Sequence, residues 1–289
     1  MSDLERLERR LATRLGQAIG DFDLIAPGDR ILVGVSGGKD SWVLLHLLRD
    51  LQRRAPIPFD LVALNVDQGF AGFRADLVED YLQREGYRYE MRSARINLTV
   101  KEKIQPGETF CSLCARLRRG SLYRHADELG CGTIALGHHA DDFVETLLLN
   151  LFFNGRIKAM PARLRAQNGR HTVIRPLVYA WEDEIADYAR ARGFPVVCCA
   201  CPGCKDPTLE RHRVKRLLRE LERAHPGLKR SLLGALARVD LATLPIPRRR
   251  GAPRGDRLPL VDGLPAGAWP ARVGALAGAR TPPVTDWLD

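Results

Sequence analysis

The chain has 289 residues, 45% of them hydrophobic, enough to bury the core of one α/β domain of about 200 residues with appendages. No apolar run approaches the ~18 residues of a membrane span, and the start "MSDLERLERRLATRLGQAIG" mixes acidic residues with its arginines, so neither a signal nor a transit peptide is expected. A formal net charge of +10 points either to a polyanionic partner or to an arginine-rich solvated surface. A cytoplasmic chain is expected, and there seven cysteines are better explained by metal or thiol chemistry than by disulfide staples.

In chain order, Leu4, Leu7, Leu11 and Leu15 recur at helical spacing and predict an amphipathic leader helix over 4–18. "RILVGVS" (30–36) is a short apolar run rich in β-branched residues, a strand, and "WVLLHLLRDLQRR" is the helix after it. "FDLVALNVD" (59–67) repeats the strand pattern, followed by a helix near 76–84 and a strand over 87–93. This alternation predicts an α/β fold, a parallel twisted sheet with helices on both faces.

Between the first strand and its helix stands "SGGKDS", Ser36, Gly37, Gly38, Lys39, Asp40 and Ser41. A helix N-terminus at this place favours an anion. The two glycines let backbone approach phosphate oxygens, Lys39 adds a point charge, and Ser36 and Ser41 offer hydroxyls. The spacing is not G-x-x-x-x-G-K-[ST], because Asp40 stands where that loop's magnesium-binding hydroxyl would be, and G-x-G-x-x-G fails as well. At the end of the second strand, Asn65, Val66 and Asp67 are candidates for contacting a nucleotide; alternatively, Asp67 only ends a strand.

The pattern turns helical over 113–129, and "CGTIALG" (131–137) gives another strand, ending at Gly137, a further candidate of the nucleotide site. "HHADDFVETLLLNLFF" then opens a helix at the carboxyl end of that strand, where ligands of open α/β sheets bind. Asp141 or Asp142 is a candidate for holding Mg²⁺, while Asp142 with Glu145 also has the spacing of a capping box. His138 and His139 either polarise an acceptor carbonyl or hydrogen-bond the loop. "HTVIRPL" and "FPVVCCA" read as extended, with a helix near 181–192 between them. "PTLERHRVKRLLRELERAHPG" is a basic helix, Pro207 suiting its start and Gly227 its end, and a short helix near 229–241 follows. After Leu244 the chain is rich in Pro, Gly and Ala and reads as a disordered basic tail.

Cys111 and Cys114 form a C-x-x-C pair, and "CCACPGC" adds Cys198, Cys199, Cys201 and Cys204. Two C-x-x-C pairs make a zinc clip one reading. A thioredoxin-like pair lacks the expected domain order.

"SGGKDS", then "PGETFCSLCARLRRGSLYRHADELG", "IALGHHADDFVETLLLNLFFNGRIKAMP", "VIRPLVY" and "FPVV", in this order, resemble the tRNA 2-thiocytidine biosynthesis family of the PP-loop ATP pyrophosphatases over roughly residues 10–240. The resemblance implies an adenine nucleotide α-hydrolase-like fold and thiolation of cytidine 32 of tRNA. It further implies that ATP adenylates the base O2, that pyrophosphate is held by Ser36 to Ser41, and that sulfur is transferred through a [4Fe-4S] cluster. Lys39, Asp40, Asp141 and Asp142 become the catalytic candidates, with Mg²⁺ on the phosphates. Cys111 and Cys114 carry over as two of three cluster ligands. Counting from "FP" selects Cys201 as the third, with Cys199 and Cys204 as alternatives.

The same resemblance implies a cysteine desulfurase as sulfur source and a homodimer. Arg118 and Arg119 follow the cysteines and become tRNA-binding candidates, with Arg116, Arg156, Lys158, Arg163, Arg211, Arg213, Lys215 and Arg216 as an extension or as solvated helix faces. The expected organisation is a helix over 1–25, the PP-loop domain over 26–205, helices over 206–243 and a tail over 244–289. The rival readings are thiolation of a tRNA uridine, lysine attachment to cytidine, which needs no cysteine pair, and a zinc-stabilised RNA-binding protein without catalysis.

Overall fold

A computed structural model describes residues 2–104, 110–206, 208–240 and 243, with the backbone alone at Cys204 and Lys205. Helix α1 (Asp3–Asp21) starts at a capping box in which Ser2 and Glu5 exchange hydrogen bonds, and it buries Leu11 and Leu15. Strand β1 (Arg30–Gly34) leads into α2 (Lys39–Gln52), β2 (Asp60–Asp67), α3 (Ala75–Arg84) and β3 (Tyr89–Ser93). Next come α4 (Ile96–Lys103), α5 (Phe110–Glu128), β4 (Thr133–Ala135), α6 (Ala140–Asn154), β5 (Arg163–Arg165) and β6 (Thr172–Ile174). Helices α7 (Glu182–Ala191), α8 (Glu210–Ala224) and α9 (Leu228–Ala235) complete the described elements, with a 3₁₀ turn at Pro202–Lys205.

The sheet order is β3-β2-β1-β4-β6-β5, parallel except for β5, which pairs antiparallel with β6. Because successive strand residues face opposite sides, Ile31 and Val33 pack with α1, α2 and α7. Leu32 and Leu64 pack with Ala126 and Leu122 of α5. Both faces are therefore covered, as a parallel sheet requires. Helices α8 and α9 add a further layer: Val214 and Leu218 of α8 bury against Val144 and Leu148 of α6. The chain reverses direction across the sheet between β1 and β4, which opens a crevice at their carboxyl ends.

Three details differ from the sequence reading. Helix α4 and the edge strand β5 carry too little periodic pattern to be read from sequence. Residues 194–200, read as extended, join no strand of the sheet; Val197 instead donates its backbone N–H to Gly37 O at 2.9 Å. Gly227 does not end α8 but begins α9 as its N-cap, at φ 94. Pro207 and the tail after Leu244 lie outside the described residues.

Candidate active site at the carboxyl edge of the sheet

The glycine loop is held from within and from outside. Ser41 Oγ donates to Gly38 O at 2.8 Å, Ser36 N donates to Ser41 Oγ at 3.2 Å, and Gly38 N donates to Ser36 Oγ at 3.3 Å. Gly37 adopts φ 81, and a Cβ there would fall 2.2 Å from Val197 Cγ2, so only glycine fits the turn. The buried Trp42 donates its indole N–H to both Gly37 O and Pro195 O, each at 3.1 Å, tying the loop to the segment that leads to the later cysteines. Gly38 is the N-cap of α2 and makes no side-chain cap bond, leaving the first helical N–H groups for an anion.

The histidine and aspartate loop lies directly against this turn. A Cβ on Gly137 would approach the Asp40 carbonyl to 3.0 Å, so glycine permits the contact. His139, not Asp142, is the N-cap of α6, and Asp142 accepts from His139 N at 2.9 Å: the capping frame sits three residues earlier than the Asp142–Glu145 spacing implies. Asp142 also pairs with Arg211. Burial acts to raise its carboxyl, but His139 and Arg211 outweigh it and hold it down to about 2. Asp141 is buried, accepting from Glu182 N at 2.8 Å and from Lys229 Nζ at 2.6 Å. Burial pushes His138 down to about 3, so it is a neutral imidazole near neutral pH.

Lys39 is engaged as well, 3.0 Å from Asp40 Oδ1 and 3.2 Å from Glu182 Oε1, and these two carboxylates outweigh burial to raise its ammonium. Glu182 Oε1 takes a second ammonium, Lys215 Nζ at 2.7 Å. Arg211 and Lys215, read from sequence as an RNA-facing extension, thus turn inward. Arg211 Nε meets Glu145 Oε2 at 3.1 Å, because the buried Glu145 carboxylate of α6 demands counter-charge.

A pocket of about 560 Å³, open mouth included, is walled by Val35 and Ser36 after β1, Val66, Asp67 and Gln68 from the end of β2, Arg118 and Leu122 of α5, Leu136 and Cys199. Asn65 points elsewhere: fully buried, it donates to Val35 O at 2.7 Å and braces the strand end.

Cys111 and Cys114 sit in the first turns of α5 facing the segment that bears Cys201. Burial comes first in raising the Cys111 thiol, and the neighbouring Cys201 and Cys114 sulfurs add to it. Burial also raises Cys114 against the opposing charge of Arg118. Cys114 Sγ lies 3.3 Å from Gln68 Oε1 on the pocket wall. A Cβ on Gly203 would come to 2.6 Å from Cys111 Sγ, so the turn after Cys201 closes over that sulfur only as glycine. Cys201 is near enough to act electrostatically on both Cys111 and Cys114, and three soft sulfur donors are a set whose chemistry suits an iron–sulfur cluster. Cys199 is disulfide-bonded and its Sγ is 3.4 Å from that of Cys201, whereas Cys111, Cys114 and Cys201 keep thiols. The Cys204 side chain lies outside the described residues.

Sequence reasoning missed Glu182, Lys229, Gln68 and Trp42. "WEDE" and the lysines of α8 and α9 carry no motif, and their roles arise only when α7, α8 and α9 converge on the loop.

The PP-loop domain family ATP_bind_3 matches residues 7–221. A protein named tRNA-cytidine(32) 2-sulfurtransferase from Geobacter metallireducens is 53% identical over 235 residues, 81% of this chain and 91% of that one. A protein of the same name from Anaeromyxobacter sp. (strain K) is 53% identical over 239 residues, 83% of this chain and 82% of that one. Among solved structures, the U34-tRNA thiolase NcsA from Methanococcus maripaludis with its [4Fe-4S] cluster superposes with a TM-score of 0.67 at 26% identity, covering 81% of this chain and 80% of that one. No helix among the described residues is long and apolar enough to cross a membrane. With the loop, the pocket and the three thiols in one crevice, the chain belongs to the PP-loop family and, within it, to the tRNA-cytidine(32) 2-sulfurtransferases.

Proposed function

We propose that the chain forms 2-thiocytidine at cytidine 32 of tRNA, using ATP to activate the base. The observation that carries this reading is the single pocket whose wall runs from Ser36 of the loop to Gln68, which touches Cys114, and to Arg118. Activation and sulfur delivery thereby share one space. The difference between 53% identity to cytidine sulfurtransferases and 26% to a uridine thiolase favours cytidine as the base. The complete loop speaks against a non-catalytic zinc protein.

In this reading, adenosine lies along Val66 and Asp67, and the β and γ phosphates lie on the backbone of Gly37 and Gly38 at the start of α2. The cytidine O2 attacks the α-phosphorus, the bond to the β-phosphate breaks, and Lys39 with the helix N-terminus holds the departing pyrophosphate. Mg²⁺ is assigned to Asp40 rather than to Asp141 or Asp142. Those two are committed to Lys229 and Arg211, whereas Asp40 is paired with its neighbour Lys39, an ion pair given up when Lys39 turns to the phosphates. His139 Nε2, 3.6 Å from Asp40 Oδ1, steadies that carboxylate. Adenylation turns O2 into a good leaving group, so that sulfur arriving at C2 expels AMP.

Cys111, Cys114 and Cys201 would hold the [4Fe-4S] cluster, which when bound supplies sulfur-transfer chemistry at an iron free of protein ligands. Arg118 and Arg119 are proposed to meet tRNA. The ultimate sulfur source is proposed to be a cysteine desulfurase, and the assembly a homodimer, both on the family resemblance. The test is reaction of anaerobically purified protein with unmodified tRNA, Mg-ATP and sulfide, followed by nucleoside mass spectrometry. Formation of 2-thiocytidine with equimolar AMP is expected; AMP release without thiolated base, or thiolated uridine instead, would refute the assignment.

A further inference from the structure

The loop lysine of a site built for a polyanion is held by a carboxylate from another part of the fold. Glu182 is the first residue of α7, which packs against α2 on the same side of the sheet. Its Oε1 lies 3.2 Å from Lys39 Nζ and 2.7 Å from Lys215 Nζ of α8, so two ammonium groups from opposite sides share one oxygen. The Glu182 backbone N–H is fixed at 2.8 Å on Asp141, which Lys229 of α9 holds in turn. The start of α7 is thereby anchored, and it presents the Glu182 side chain to Lys39. Burial would raise it, but Lys215 and Lys39 outweigh burial and hold it down to about 2, so it is fully ionised at working pH.

We propose that Glu182 is a positioning residue that limits how tightly the glycine loop grips pyrophosphate, by competing with the phosphates for Lys39. The inference rests on the loop's role in the function proposed above. A negative charge beside an anion site disfavours the anion, and a product carrying several charges on a loop with a helix N-terminus would otherwise leave slowly. Lys215 is the counterweight: when Lys39 turns to the phosphates, Glu182 keeps one ammonium partner and is not left as a half-buried lone charge. The bland alternative is that Glu182 only sits favourably at a helix N-terminus. That alternative predicts no gain in anion affinity when its charge is removed.

The two readings differ in sign. In calorimetric titration of anaerobic holoprotein with magnesium pyrophosphate, Glu182→Gln is expected to bind at least five-fold tighter than wild type, with a lower KM for ATP and stronger product inhibition. Lys215→Gln leaves Glu182 to Lys39 alone and is expected to bind several-fold weaker. General damage to the fold would weaken both variants, so tighter binding by Glu182→Gln cannot come from misfolding. Binding by Glu182→Gln that is equal to or weaker than wild type overturns the inference while leaving the loop assignment intact. Failure of wild-type protein to bind pyrophosphate overturns the loop assignment and the inference together.

Discussion

The glycine loop and the cysteine rim lie on the same crevice, yet they are built on opposite plans. From Ser36 to Trp42 the loop satisfies itself: two hydroxyls and an indole bond to backbone, and Gly37 is locked against Val197. The rim around Cys111, Cys114 and Cys201 is instead assembled from two distant stretches of chain, its first two cysteines lying in the opening turns of α5. Its third sulfur lies on a segment outside the sheet, between Ala200 at φ 53 and a one-turn 3₁₀ helix. A ligand that must come and go in each turnover needs a cradle that exists beforehand, which avoids ordering costs at each binding event. A resident group can instead contribute the order itself, because its binding energy is also folding energy for the ligands' surroundings.

If that contrast holds, the two regions fail separately. The largest effect is expected from Cys111→Ser or Cys201→Ser. Anaerobic iron content should fall from about four per chain, as a [4Fe-4S] cluster requires, to near zero, and 2-thiocytidine formation should be lost. Pyrophosphate affinity should stay within about two-fold of wild type, since no loop contact changes. Loss of pyrophosphate binding in these variants would mean that the rim also shapes the loop, through Trp42 and Pro195.

The converse variant is Gly37→Ala. An L-residue at φ 81 costs about 1–2 kcal/mol, and the new Cβ must displace Val197. KM for ATP is expected to rise ten-fold or more with iron content unchanged. An unchanged KM would show that the loop tolerates distortion and is not preorganised as described.

Legibility in the sequence follows the same division. The loop was readable because each residue type has a local reason: glycine for a positive φ, serine for a hydroxyl, a strand before it and a helix after it. The order of parallel strands followed from alternating patterns, whereas β5, three residues long with only Leu164 turned inward, left no signal. Asp141 and Asp142 were visible as chemistry-bearing residues, but their partners Lys229 and Arg211 lie 88 and 69 residues away. Sequence spacing therefore offered them to Mg²⁺, while the fold engages both in ion pairs with α8 and α9. Glu182 was invisible for the same reason, since its meaning is a meeting of α2, α7 and α8. Among the cysteines, the spacing singled out Cys111 and Cys114, but choosing among Cys199, Cys201 and Cys204 needed the resemblance.

Arg118 joins the two regions and gives the finest test of their separation. It lines the loop-side pocket, and its charge also lowers the Cys114 thiol against burial, so it reaches towards both halves of the crevice. Arg119, one residue on and half-buried, is turned about 100° around the helix and has the guanidinium of Arg175 in its vicinity. If both meet phosphates of tRNA, alanine at each should weaken tRNA binding and lower the slope of log affinity against log salt by about one. Only Arg118→Ala should also raise KM for ATP, by a few-fold, because of the two only Arg118 lines the pocket proposed for the nucleotide. Filter binding across a salt series together with ATP kinetics separates the cases. Equal ATP effects from both arginines would show that the helix acts as one electrostatic surface over both regions, and a salt slope unchanged in both variants would remove this edge of α5 from the tRNA interface.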